Sequence, residues 1–164
     1  MKKISYLFIS LILLINIGAC TGYEPIFSTS NLEFKIEGYS ITGNKKLGNQ
    51  IYSRLYRISK INENNNNARN FKFLIDVSKE KESTIKNSAG KILEYKITLN
   101  TNILINDYLN DEEILNHNFN INSNYKVQDQ HSETQMLENK TLENLIDKTY
   151  QNILIKMSEK ITAK

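Results

Sequence analysis

The sequence predicts an α+β fold: a two-layer sandwich of a four-stranded mixed sheet with two amphipathic helices on one face, in the order β-α-β-β-β-α. Three observations lead there. Four separate stretches alternate apolar and polar residues with period two, which marks strands with one buried face. After the first and after the last of them the apolar period lengthens to three and four residues, which is helical. A strand, a helix and a further strand ask for a right-handed crossover, and short turns then add antiparallel neighbours. Two helical stripes over one sheet face bury each other's apolar surface in two layers.

The first strand is read in Leu32-Glu33-Phe34-Lys35-Ile36-Glu37, with Gly38 and Gly43 punctuating its exit. From Asn44 to Ser59, Leu47, Ile51, Leu55 and Ile58 recur at four, four and three, with Tyr52 beside the stripe and most of the cations off it. The tract from Ile61 to Asn70, with four asparagines in a row, brings little to a core and reads as a loop. Phe71, Phe73, Ile75 and Val77 then alternate with polar residues except at Leu74. A longer alternation runs from Leu93 through Tyr95, Ile97, Leu99, Thr101 and Ile103 to Ile105. Asn87-Ser88-Ala89-Gly90 is a turn signal that makes these two a hairpin.

A second turn region, Asn106 to Glu113, leads into the last strand. There His117, Phe119, Ile121, Ser123 and Tyr125 face one way, and Asn116, Asn118, Asn120, Asn122 and Asn124 the other. So regular a polar face implies a sheet with one side open to water or to a partner. Ser132 with Gln135 resembles a capping box. Leu142, Leu145, Ile146, Thr149, Ile153 and Met157 keep helical spacing beyond it.

Ahead of this domain stands a different kind of segment. Lys2 and Lys3 precede an apolar run from Ile4 to Ile17, which narrows to Gly18 and Ala19 before the single cysteine, Cys20. That is the layout of a secretory signal peptide, with a run too short for a comfortable membrane span. Ile17-Gly18-Ala19-Cys20 resembles the bacterial lipobox, so residues 1–19 are expected to be removed and Cys20 to carry diacylglycerol and an N-acyl chain. Residues 20–31 form the lipidated tether and 32–164 a single α+β domain. Beyond the covalent lipid no cofactor is expected.

Removing Lys2 and Lys3 leaves 19 of the 21 basic residues against 18 acidic ones, so the mature chain is almost neutral and gives no case for nucleic acid. His117 and His131 are the only histidines, in no metal-ligand spacing. His117 falls on the apolar face of its strand, as a hydrogen-bonded core histidine would. No phosphate loop, nucleophile elbow or catalytic triad order is found, and Asp111-Glu112-Glu113 lies in a turn. An enzyme is not expected. Two features suit binding: Lys79, Lys81, Lys86 and Lys91 around the first hairpin, which could meet phosphates, and the open asparagine face.

The segment Ala19-Cys20-Thr21-Gly22-Tyr23-Glu24-Pro25-Ile26-Phe27 resembles the Gly-Cys-Gly-(Phe/Tyr)-x-Pro-(Leu/Ile)-Tyr start of the LPS-assembly lipoproteins, the LptE family, in its divergent alphaproteobacterial type. Thr21 is an extra residue and Phe27 stands where tyrosine is usual. The order of elements agrees over nearly the whole mature chain. The resemblance implies an outer-membrane lipoprotein on the periplasmic face, plugging a large LptD-like β-barrel, supporting its assembly and passing lipopolysaccharide to the surface. The four hairpin lysines would then contact lipopolysaccharide. The alternative is a periplasm-facing lipoprotein that binds another target, as a secretion pilot or an inhibitor does.

Overall fold

The computed structural model describes residues 32–162; the signal segment, Cys20 and the tether lie outside them. Strand β1 (Phe34–Gly43) leads into helix α1 (Lys45–Ile61), followed by β2 (Arg69–Lys86), β3 (Ile92–Asp107), β4 (Glu113–Lys126) and helix α2 (His131–Thr162). The four strands form one sheet in the order β1-β2-β3-β4. β1 pairs parallel with β2, and β2, β3 and β4 pair antiparallel in turn. The predicted mixed two-layer architecture is the one observed.

The core lies between the helices and one sheet face. Phe34, Phe71, Phe73, Ile75, Ile97, Leu99, Ile103 and Ile105 meet Ile51 and Leu55 from α1 and Leu145, Ile146, Ile153 and Met157 from α2, all essentially inaccessible. Fully burying a side chain of this size contributes about 1.5–3 kcal/mol. Thr149 sits on the same α2 stripe and satisfies its buried hydroxyl by donating to the Leu145 carbonyl at 2.8 Å. An ion pair of 2.8 Å between Arg54 and Asp147 ties the two helices together.

Four expected boundaries are corrected. β1 does not end at Glu37: a bulge between Ile36 and Gly38 absorbs one residue, and pairing continues to Gly43↔Val77. Gly43, at φ 66°, is where the strand does end, and a β-carbon there would strike the Val77 carbonyl. The α1 stripe closes on Ser59 as well as the half-buried Ile58, because the Ser59 hydroxyl accepts the Ile36 N–H at 2.8 Å. β2 runs nine residues past Val77, to Lys86. Finally, α2 begins at His131, and the hydroxyl that accepts at its start is that of Thr134, from the Gln128 N–H at 2.8 Å, so Ser132 does not form the expected capping box.

Candidate functional site

The sheet face away from the helices has no cover among the described residues. Register sets its side chains in rows across β2, β3 and β4: Asp76–Asn102–Asn118, Ser78–Asn100–Asn120, Glu80–Thr98–Asn122 and Glu82–Lys96–Asn124. Amides and carboxylates knit these rows. Asn120 donates to Asn100, Asn100 to Glu80 at 3.3 Å, and Asn124 to Glu94 at 2.8 Å. Glu94 also accepts from the Thr84 hydroxyl at 2.8 Å, and Lys96 pairs with Glu82 at 2.5 Å. The face is therefore largely polar, carries more acidic than basic side chains, and is rich in donors and acceptors. It suits a hydrated or polar wall and not a lipid tail.

The hairpin lysines do not gather at one place. Alternation turns Lys79 and Lys81 to the helix side and Glu80 and Glu82 to the open side. On the helix side both lysines reach one carboxylate, Glu138 of α2, at 3.4 and 2.6 Å, and the Tyr125 hydroxyl donates to it at 2.9 Å. The Lys81 ammonium also lies over the Tyr95 ring, 4.3 Å from its centroid, and Tyr95 stacks on Tyr125 at 5.8 Å. Burial opposes the charge on Glu138, but hydrogen bonds from Lys81 and Tyr125 outweigh it and hold the carboxyl below its ordinary value. Burial likewise opposes the charge on Lys81, but Glu138 and Tyr125 hold its ammonium above the ordinary lysine value.

Lys86 and Lys91 stand apart, exposed at the tip. The Asn87 side chain shapes that turn by accepting from the backbone N–H groups of Ala89 and Lys91 at 3.0 and 2.9 Å. Lys91 and Lys81 border an open cavity of about 430 Å³ with Tyr95, Gln128 and His131, between the hairpin and the start of α2. His117 is half-buried and edge-on to Phe119, ring centroids 4.6 Å apart, and its ring makes no hydrogen bond among the described residues. The expected hydrogen-bonded core histidine is thus corrected to an aromatic contact.

The apolar spacing of α2 does not single out Glu138 as a site residue. Its signal is that it lies four residues before Leu142 on the inward stripe of α2, where a carboxylate demands a cation opposite.

No protein-family model and no curated protein sequence matches the chain. Solved structures do match its fold. One is a protein from Caulobacter crescentus CB15 described as a lipoprotein, with TM-score 0.56 and 13% identity over 82% of this chain and 95% of that one. Another is the uncharacterized lipoprotein B from Nitrosomonas europaea, with TM-score 0.56 and 18% identity over 81% of this chain and 88% of that one. At such identities the likeness is one of fold.

Proposed function

We propose that this chain is an outer-membrane lipoprotein of the LPS-assembly (LptE-like) family, in its divergent alphaproteobacterial form, anchored through Cys20 on the periplasmic face. In this reading it seats inside an LptD-like β-barrel, supports the barrel's assembly and helps deliver lipopolysaccharide. The observation that carries the reading is the open sheet face, a largely polar layer with no helix on it among the described residues. A wide barrel lumen is wet and polar, and its wall can meet the spare donors and acceptors of such a face. The lipobox and the fold shared with lipoproteins from two other organisms support the same reading.

Among the hairpin lysines, the exposed Lys86 and Lys91 are the first to meet phosphates of an anionic glycolipid, while Lys79 and Lys81 hold the hairpin to α2. Depletion of the chain in its own cells tests the role. Folded, heat-modifiable barrel and surface lipopolysaccharide should both fall. Normal levels of both after depletion would overturn it.

A further inference from the structure

β4 ends the sheet, and among the described residues nothing pairs with its outer side. The Val127 N–H donates to the Leu93 carbonyl at 2.9 Å, and the same register runs unbroken from Glu94↔Lys126 to Ile105↔Leu115. In an antiparallel ladder, opposite pairs alternate between exchanging both backbone bonds and exchanging none. The odd-numbered residues of β4 therefore bond to β3. The N–H and C=O groups of Asn116, Asn118, Asn120, Asn122 and Asn124 point out of the sheet, five donor–acceptor pairs in a row.

Exposed strand edges are usually blunted by charge, proline or a cap. The other edges of this sheet are. Ser59 caps the Ile36 N–H on β1, and β2 beyond Val77 carries Lys79, Glu80, Lys81 and Glu82. From Ile114 to Tyr125, β4 has no Asp, Glu, Lys, Arg or Pro. Its only charges stand at its two ends, Glu113 and Lys126. Both lie on the open face, where Glu113 accepts from the Asn116 amide at 3.2 Å and Lys126 stands opposite Glu94.

We propose that β4 is a self-pairing edge, which joins two copies of the chain antiparallel about a two-fold axis at Asn120. That register sets Asn116 against the second copy's Asn124 and Asn118 against its Asn122, so every outward backbone group finds a partner. The open faces of both copies then form one continuous surface, and the helices stay together on the other side. Antiparallel pairing brings each Glu113 beside the other copy's Lys126 on that face, two ion pairs at opposite ends of the joint. Parallel pairing would set like charges together, so the ends of β4 select the antiparallel second copy. The inference rests on the edge alone and concerns the chain outside the barrel.

The full chain carrying Asn120→Cys, purified from membranes in mild detergent and oxidised, tests it. Antiparallel pairing puts the two Cα atoms about 5.5 Å apart, within disulfide reach. A covalent dimer should form, with the introduced thiols joined to each other on peptide mapping. Asn102→Cys, on the same face of the interior strand β3, should stay monomeric. Glu113→Lys alone and Lys126→Glu alone should each weaken dimerisation roughly tenfold by light scattering, and the double exchange should restore it. Cross-linking of Asn120→Cys to another protein, equal cross-linking of both variants, or a charge exchange that restores nothing would each overturn the proposal.

Discussion

Lys81 and Glu138 meet across the two layers, ammonium to carboxylate at 2.6 Å, where the apolar core has given out. Between Val77 and the hairpin tip, β2 offers α2 lysines in place of aliphatic side chains. One carboxylate answers two of them, and two tyrosine rings shield the contact.

Stability should therefore depend on pH through this contact. Glu138, held below its ordinary value of 4.5, contributes stability that is present above that value and lost as pH falls through its lowered one. Lys81, raised above its ordinary 10.5, contributes stability that is present below that value and lost as pH rises through its raised one. Glu138→Gln should cost about 1 kcal/mol at neutral pH and converge with the natural chain in acid. Denaturant melts from pH 3 to 7 check this, and parallel curves throughout would contradict it.

The centre of β3 holds a correctable flaw. Thr101 is fully buried between Val77 and Phe119, and its hydroxyl oxygen has no hydrogen-bond partner. Thr101→Val keeps the shape and removes the stranded polar atom, so it should stabilise the domain by about 1 kcal/mol. Loss of stability on chemical denaturation would show that the hydroxyl is satisfied in solution.

The two faces of β3 should respond oppositely to truncation. Ile97→Ala or Leu99→Ala should each cost about 2–4 kcal/mol, because both side chains are wholly buried. Asn100→Ala, on the open face, should stay within about 0.5 kcal/mol. Similar losses at both kinds of site would mean that the open face is covered.

The hairpin lysines should separate by role. Lys86→Gln with Lys91→Gln should weaken binding to lipopolysaccharide in a salt-sensitive way and leave the melting temperature unchanged. Lys81→Gln should lower the melting temperature. Binding unaffected by the tip pair would leave those lysines as ordinary solvated side chains.

What the sequence revealed follows from where apolar period and buried face coincide. Leu47, Ile51 and Leu55, and Ile97, Leu99 and Ile103, are buried as their spacing requires. Legibility failed where burial is polar. β2 looked finished at Val77 because its next inward residues are Lys79 and Lys81, whose partner lies 57 residues from Lys81. β1 looked finished at Glu37 because a bulge shifts the alternation by one, so that the exposed Tyr39 falls on the helix side and stacks on Tyr52 at 4.0 Å. The open face was readable from the asparagines of β4. Its cross-strand rows needed the register, which local sequence does not carry.

The central claim, a lumen subunit of a lipopolysaccharide-transport barrel, is tested most directly by what the natural chain brings with it. Affinity purification from detergent-solubilised membranes, followed by electrophoresis with and without heating and mass spectrometry, should yield one stoichiometric partner. That partner should migrate faster unheated, as a folded β-barrel does. Cys20→Ala should leave an unprocessed precursor that recovers little of it. Recovery of the chain with no heat-modifiable partner, or with a soluble periplasmic protein in its place, would contradict the claim.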